Sequence, residues 1–294
     1  MEAKMMFIHA LTPLHPGTGQ GVGVIDLPVA RETATGLPYL PGSSLKGVLR
    51  DRCTEDSIRK EVFGPEANDD NDSKAAAALF TDQRLLLLPV RSLAGTFAWV
   101  TSPFILQRLL RDGRGREDTK KLQSAFVKLS KKLDNAKGTA LVTKTTQLLV
   151  PAGGSKKVIL EDLDLESSVL SSAREWAEWL GAHIFPGDSI WQATLAQKFC
   201  IVHDDILSFL LQTATEVIAR NQLTEDKISN NLWYEETLPA ETVLSGLVVA
   251  HQVGKNGLTP EKVITEVKKL TDEVMQLGGN ATIGRGLCRL LIPR

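Results

Sequence analysis

The order of strand and helix patterns most limits what this chain of 294 residues can fold into. Short apolar runs rich in β-branched and aromatic residues predict strands, and apolar residues three and four positions apart predict helices. In chain order we predict a strand at "MMFIHAL", a helix at "PGSSLKGVLRDRC", strands at "QRLLLLPVRS", "GTFAWVTSP", "ATEVIARNQL" and "TVLSGLVVA", a helix at "TPEKVITEVKKLTDEVMQL" and a last strand at "GLCRLLI". The centre, residues 102–212, is predicted to be mostly helical.

Without its insertions the chain reads strand, helix, strand, strand, helix, strand. Ferredoxin-like and RNA-recognition-motif folds have this order, with two helices covering one face of a sheet. We therefore predict an α+β fold: a modified βαββαβ palm with large helical insertions. No repeat or low-complexity linker interrupts the chain, which favours one elaborated domain. Because such folds serve many functions, function must be argued from particular residues.

Composition excludes several classes of protein. With 43% hydrophobic residues, the chain can bury a sizeable core. Its three cysteines are widely spaced and form no CxxC pair, which argues against structural zinc and a disulfide framework. The longest apolar run, "LLLLPV", is too short to span a bilayer, and the first residues lack the pattern of a secretion signal. We expect a cytoplasmic protein that contacts no membrane.

One carboxylate, Asp26, interrupts the apolar stretch "GVGVIDLPVA" near the start of the chain. In a regular strand its side chain would share a face with two valines, where burying an unpaired carboxylate is costly. Flanking glycines and prolines favour a loop that exposes the carboxylate instead. No Lys, Arg or other acidic residue lies between Lys4 and Arg31 to pair with it. His15, in the same loop system, is a candidate general base or ligand, although its apolar neighbours favour a structural role.

The helix pattern at "PGSSLKGVLR" begins with groups that bind anions. Ser43 or Ser44 can cap the helix, and Lys46 and Arg50 lie one turn apart on one face. With the free amides of the first turn, these residues predict a phosphate site. The spacing differs from that of a P-loop, which argues against an ATPase. An ordinary capped helix with solvent-facing cations explains the same residues.

Two later segments carry further candidate residues. The stretch "LGGNATIGRGLCRL" has glycines at 278, 279, 284 and 286, which let a backbone approach another backbone or a phosphate. Plain structural turns are the alternative. The excursion at 220–244 is longer than a tight turn requires, and long ordered excursions are commonly functional. Its Trp233–Tyr234 pair could stack on bases or pack on the protein body.

Residues 108–137 contain ten Lys or Arg and four Asp or Glu, in a chain whose net charge is −1. A segment of this kind can contact phosphates, or it can be the solvated face of a helix. The sequence alone leaves both of these interpretations open.

The stretches "LTPLHPGTGQGVGVIDLPVARE", "PGSSLKGVLR", "RLLLLPVRSLAGTFAWVTSP", "LWYEETLPAETVL" and "LGGNATIGRGL" together resemble the RAMP superfamily, in particular the repeated backbone subunits of type III-B CRISPR (Cmr) effector complexes. The match follows nearly the whole chain in order and is loose over about 105–200. It implies one RAMP domain over 1–294, with a palm at about 1–62, 213–222 and 240–294, finger or helical insertions at 63–212 and a thumb at 221–239. The implied partners are CRISPR RNA, complementary target RNA, copies of the same chain in a helical filament and other Cmr subunits.

The resemblance also implies roles for single residues. It implies guide-RNA contacts at Ser43, Ser44, Lys46, Arg50, Gly278, Gly279, Gly284, Arg285 and Gly286. The thumb, with Trp233 and Tyr234, would wedge into the guide–target duplex and displace one base pair at regular intervals.

Asp26 stands at the position of the family's catalytic aspartate, which implies metal-dependent cleavage of target RNA. A flipped nucleotide frees its backbone, so that its 2′-OH can align with the scissile phosphate. Asp26 would hold Mg²⁺ or another divalent cation, or help to deprotonate that hydroxyl, with His15 and Glu235 as candidate auxiliaries. Because one carboxylate is a poor metal site, we expect weak binding that depends on RNA.

Two other functions remain open on the sequence alone. One is a non-catalytic, structural RNA-binding subunit of the same type of complex. The other is a RAMP nuclease that processes CRISPR RNA precursors as a monomer or dimer. The long excursion at 220–244 and the lack of a histidine-centred pattern count against the second.

Overall fold

The computed structural model of the chain describes residues 1–17, 19, 24–65 and 75–293. Its strands are β1 (Glu2–Ala10), β2 (Tyr39–Leu40), β3 (Ala78–Phe80), β4 (Gln83–Arg91), β5 (Phe97–Thr101), β6 (Thr139–Val142), β7 (Leu149–Ala152), β8 (Ser155–Leu160), β9 (Leu163–Val169), β10 (Phe199–Ile201), β11 (Glu216–Leu223), β12 (Ser229–Thr237), β13 (Val243–Ala250), β14 (Met275–Gln276) and β15 (Leu287–Leu291). Its helices are α1 (Gly42–Arg52), α2 (Asp56–Phe63), α3 (Pro103–Asp112), α4 (Glu117–Asn135), α5 (Ser171–Ile184), α6 (Ser189–Lys198), α7 (Asp204–Thr213) and α8 (Pro260–Lys269).

Contacts divide the chain into two compact units. The first unit consists of Met1–Arg84, Val217–Ala240 and Leu244–Arg294. The second consists of Leu85–Glu216 and Glu241–Val243. Every residue to which the sequence assigns a role in RNA binding or cleavage belongs to the first unit.

The sheet of the first unit has the order β14, β15, β1, β13, β3. β1 runs antiparallel to β15, with Phe7 opposite Leu291 and Ala10 opposite Cys288. The last six residues of β1 are all buried, as expected for a central strand with protein on both faces. Helix α8 packs on β1, α1 packs on β3, and α2 contacts both helices. The predicted α+β fold class is confirmed, with the first and last strands in the middle of the sheet.

Two elements of this unit differ from the prediction. β11 lies in the range 213–222 that was expected in the palm, but it pairs with β12 in a separate two-stranded sheet. Helix α8 is capped by Thr259 and begins at Pro260 as predicted, but it ends at Lys269 rather than near residue 277. Apolar residues continue at helical spacing beyond Lys269. Met275 nevertheless pairs with Cys288 of β15, so strand pairing overrides the local helical pattern.

The second unit has a sheet in the order β5, β10, β6, β9, β8, β7, with most of β4 beside β5. Helices α3 to α6 pack against one another in chain order, and Trp99, Trp176 and Phe199 are fully buried. The prediction that residues 102–212 are mostly helical therefore misses five strands. β7 and β8 form a hairpin through Gly153 and Gly154, both at positive φ, which suits its two-residue turn.

The helices and the cysteines bear on two expectations from composition. None of the helices in the part of the chain that the structure covers is both long and apolar enough to cross a membrane. Cys53, Cys200 and Cys288 are buried free thiols, and burial raises the pKa of both Cys200 and Cys288 to about 12.

Two glycines of α1 provide a test of how this helix packs. A Cβ at Gly42 would lie 2.9 Å from the carbonyl carbon and oxygen of Thr81 and closer still to the carbonyl oxygen of Phe80, whereas a Cβ at Gly47 would meet nothing within 4 Å. We expect Gly42→Ala to lower the free energy of unfolding by about 1–3 kcal/mol because of the clash. Gly47→Ala should raise it by about 0.5–1 kcal/mol through helix propensity. Urea unfolding of both variants measures the difference, and shifts of the same sign would contradict this packing.

Candidate functional site

One edge of β12 holds residues 24–28, which carry Asp26 and are called the Asp26 segment below. The backbone N–H of Tyr234 donates to Asp26 Oδ2 at 2.8 Å. The carbonyl of Tyr234 accepts from the N–H of Leu27 at 3.1 Å, and the N–H of Glu236 donates to the carbonyl of Leu27 at 3.0 Å. Asp26 itself is exposed, and its Oδ1 accepts no hydrogen bond from the described residues. The prediction of an irregular loop that exposes this carboxylate is confirmed for 24–28, whereas Gly21 and Gly23 lie outside the described residues.

The same edge of β12 also holds the segment that carries His15. Leu14 and Leu238 exchange both of their backbone hydrogen bonds, at 2.9 and 2.8 Å. His15 Nδ1 lies 2.6 Å from the carbonyl oxygen of Glu236. Because a carbonyl only accepts, Nδ1 carries the proton, which leaves Nε2 as an acceptor in the neutral ring. His15 is buried, and a Cβ at Gly17 would lie 2.6 Å from its Nε2.

Glu235 lies at the centre of a separate set of polar contacts. Its Oε1 accepts from the indole N–H of Trp233 at 2.8 Å, and its Oε2 accepts from Asn280 Nδ2 at 2.9 Å. Two guanidinium groups neutralise its charge, with Arg220 Nε at 3.6 Å and Arg285 Nη1 at 3.8 Å. The carboxylate is 4% exposed, so it is paired inside the protein rather than open to a ligand.

The glycine-rich loop at 278–286 packs against the His15 segment. The N–H of Gly279 donates to the carbonyl of His15 at 2.9 Å, and Gly278 has φ +73°. A Cβ at Gly278 would lie 3.0 Å from the carbonyl carbon of His15 and closer to its oxygen. Gly286, also at positive φ, approaches the carbonyl of Leu277. These glycines therefore serve close backbone contacts, whereas Gly284 is exposed with open space beside it.

Arg285 is buried, with 8% of its surface exposed. Its Nη1 faces Glu235 and forms no hydrogen bond within the part of the chain covered by the structure. In this orientation Arg285 neutralises a buried carboxylate, which differs from the phosphate contact that the resemblance implies.

Helix α1 begins differently from the prediction. Pro41 occupies the N-cap position, and neither Ser43 nor Ser44 makes a capping hydrogen bond, so the predicted serine cap is wrong. The N–H of Gly42 donates to Asp82 Oδ1 at 2.9 Å, so a carboxylate of the protein already binds at this helix end. The hydroxyls of both serines are left free of partners among the described residues.

The two cations of α1 have different surroundings. Arg50 Nη1 donates to the carbonyl of Gly64, while its Nη2 is buried without a hydrogen-bond partner in the described part of the chain. Lys46 is half-buried and makes no ion pair with the described residues. Burial and, less strongly, the charge of Arg50 lower the pKa of Lys46 below its usual value. An anion beside Lys46 would stabilise its charged ammonium group and oppose this lowering of the pKa.

The aromatic pair of β12 is divided between the two faces of its ribbon. Trp233 is half-buried against Glu235, and Tyr234 is 41% exposed. Leu232 and Ile228 are also exposed along this hairpin. The exposed apolar side chains fit a surface that contacts another molecule.

The structure therefore brings Asp26, His15, Glu235 and the loop at 278–286 together around β12. Among the described residues, no three His, Cys, Asp or Glu side chains form a group that could hold a metal ion. The basic segment at 108–137 lies in the second unit, on α3 and α4, where Arg116 pairs with Asp118 and Lys120 pairs with Glu117.

Sequence reasoning missed several residues of this site. Glu236, Arg31, Arg220 and Asn280 make contacts that no spacing pattern indicated. One signal for Glu236 was present in "WYEET". Adjacent residues of a strand point to opposite faces, so the two adjacent acids cannot both point to the same side of β12.

Comparisons with known proteins identify the family of the chain. A family model described as the RAMP superfamily matches residues 7–289. The chain is 31% identical over 308 residues to the CRISPR system Cmr endoribonuclease Cmr4 of Pyrococcus furiosus, covering 99% of this chain and 96% of that protein.

Solved structures with a similar fold include the crystal structure of oligomeric Cmr4 from Pyrococcus furiosus, with a TM-score of 0.73 and 25% identity over 100% of this chain and 98% of the other. A chain in the cryo-EM structure of the type III-B Cmr-beta complex bound to cognate target RNA has a TM-score of 0.73 at 21% identity, with 99% and 97% of the two chains covered, which shows a likeness of fold. The resemblance seen in the sequence is thus confirmed over nearly its whole length, and the chain belongs to the RAMP superfamily.

Proposed function

We propose that this chain is a backbone subunit of a type III-B CRISPR effector, which binds guide RNA and cleaves complementary target RNA at Asp26. The similarity to a Cmr4 endoribonuclease over nearly the full length supports the class of activity. The likeness to an oligomeric Cmr4 supports assembly with further copies of the chain. We extend the proposal to guide RNA, target RNA and other Cmr subunits as partners, and to a cytoplasmic location.

The observation that carries the proposal is the state of the Asp26 carboxylate. One oxygen is fixed by the N–H of Tyr234, while the other has no partner in the described part of the chain and the residue is exposed. A carboxylate buried for a structural role would use both oxygens inside the protein, as Glu235 and Glu236 do. This carboxylate is oriented yet free to act on a bound ligand.

The free oxygen of Asp26 can accept the proton of an RNA 2′-OH or ligate a cation beside the scissile phosphate. His15 offers a second acceptor, because its Nδ1–H is committed to the carbonyl of Glu236 and Nε2 keeps its lone pair. Glu235 is neutralised by its own partners, so we assign it to holding the loop at 278–286 rather than to proton transfer.

The donor set fits a divalent cation only in part. A single hard carboxylate oxygen suits Mg²⁺, which keeps several waters and shares phosphate oxygens of a substrate. When bound, such an ion would neutralise charge that develops on the phosphate. Asp26 Oδ1 would be its ligand from this chain.

Replacing Asp26 by Asn tests the proposed activity directly. The amide keeps the size of the side chain but removes its charge and its basic oxygen. We expect target cleavage by the reconstituted complex to fall by about 10²–10⁴-fold, with target binding nearly unchanged. Asp272→Asn, at an exposed carboxylate outside the cluster, is the matched control. Undiminished cleavage by Asp26→Asn would favour the non-catalytic RNA-binding subunit.

Metal binding is tested by calorimetric titration of Mg²⁺ into the isolated protein and into its complex with guide and target RNA. We expect no tight site without RNA, because one carboxylate oxygen supplies too few ligands. A submicromolar site in the isolated protein would contradict the proposed RNA-dependent arrangement.

The two cations of α1 should respond differently to alanine. Lys46→Ala should weaken guide-RNA binding and reduce the slope of log K against log salt by about 0.7, the value for one phosphate contact on a single strand, without changing the melting temperature. Arg50→Ala should lower the melting temperature as well, because Arg50 bonds to the carbonyl of Gly64. Fluorescence anisotropy at several salt concentrations, with thermal melting, separates the effects. An unchanged salt slope for Lys46→Ala would remove it from the proposed guide site.

A further inference from the structure

The Glu236 carboxylate lies buried between β12 and the segment that follows Asp26. Its side chain is 4% exposed. Oε2 accepts from the backbone N–H of Val29 at 3.0 Å, and Oε1 accepts from Arg31 Nη2 at 2.5 Å. Both donors belong to the segment 29–31, so this carboxylate fastens the segment to β12.

A side chain makes this connection because the main chain of Glu236 is committed elsewhere. β12 pairs in parallel with the Asp26 segment at Leu27, whose N–H and carbonyl both bond to β12. The next bond of a parallel ladder would run from the N–H of Val29 to the carbonyl of Glu236. That carbonyl accepts from His15 Nδ1 instead, and the Glu236 carboxylate takes the N–H of Val29.

We propose that Glu236 is a positioning residue for cleavage, which holds Asp26 in register through Val29 and Arg31. The inference rests on the proposed function of Asp26. Glu236 forms no hydrogen bond with Asp26 itself, and its burial keeps it from RNA. Its effect on the reaction is through the backbone that connects Asp26 to Val29, where a displacement of about 1 Å can cost about 100-fold in rate.

The neighbouring Glu235 has a different task. Adjacent residues of a strand point to opposite faces, and the Glu235 carboxylate bonds to Trp233 and Asn280. It therefore fixes the loop at 278–286, whereas Glu236 fixes the segment at 27–31. Removing one should leave the contacts of the other in place.

Glu236→Gln tests the proposal, because an amide has one accepting oxygen where two donors converge. Either the N–H of Val29 or the guanidinium of Arg31 then faces the NH₂ group of the new amide instead of an acceptor, and the segment 29–31 should be held less tightly to β12. In the assembled complex we expect the single-turnover cleavage rate to fall by about 100-fold with unchanged affinity for target RNA. Amide hydrogen exchange, followed by mass spectrometry on the isolated chain, should accelerate in peptides that contain Val29.

A double variant separates positioning from a general loss of structure. If Glu236 acts through Asp26, then Asp26→Asn with Glu236→Gln should cleave no more slowly than Asp26→Asn alone. Glu273→Gln, at an exposed carboxylate paired with Arg52, should leave cleavage unchanged. Leu180→Ala, which removes buried atoms from the second unit, shows how far lower stability alone slows the reaction.

The outcomes are distinct. Wild-type cleavage by Glu236→Gln, a further loss in the Asp26→Asn background, or a parallel loss of RNA binding would each overturn the positioning role. If Glu236→Gln does not assemble, Glu236→Asp, which keeps the charge but shortens the reach, is judged by the same criteria. Full activity of Asp26→Asn would instead refute the proposed function, and the exchange of Val29 would still report whether Glu236 holds the segment.

Discussion

The hydrogen bonds along one edge of β12 are the constraint on which the rest of the site depends. Residues 234, 236 and 238 alternate along the strand, so their N–H and carbonyl groups all point to the same edge. Tyr234 and Glu236 bind the Asp26 segment, and Leu238 binds the segment that begins at Leu14. Two loops that are rich in glycine and proline thus obtain a fixed geometry from a strand distant in sequence.

On each face of β12 a buried carboxylate is neutralised by arginine side chains. Glu236 has Arg31 on one side, and Glu235 has Arg220 and Arg285 on the other. Burying carboxylates is costly unless donors surround them, and here each oxygen of Glu235 and Glu236 accepts a hydrogen bond. The charges of Glu235 and Glu236 connect loops to β12, and of these two carboxylates and that of Asp26 only the last is exposed.

The sequence predicted the fold class and the core elements where periodicity and packing agree, as in β1, α1 and β15. It failed where pairing with a distant segment decides the structure. Met275 continues a helical pattern yet pairs with Cys288, and the run containing Arg220 has the composition of a palm strand yet forms a hairpin with β12. In the site, the exposure of Asp26 followed from local composition, whereas the contacts of Glu236 depend on loops joined only in the folded chain.

Gly17 shows how a residue without a side chain makes room for a buried ring. A single methyl group there would occupy the space directly against His15 Nε2, the nitrogen left with a lone pair. The buried imidazole fits against this stretch of backbone because Gly17 carries no side chain. Adding one carbon at this point of the chain would therefore force the ring or the backbone to move, although no functional group would be removed.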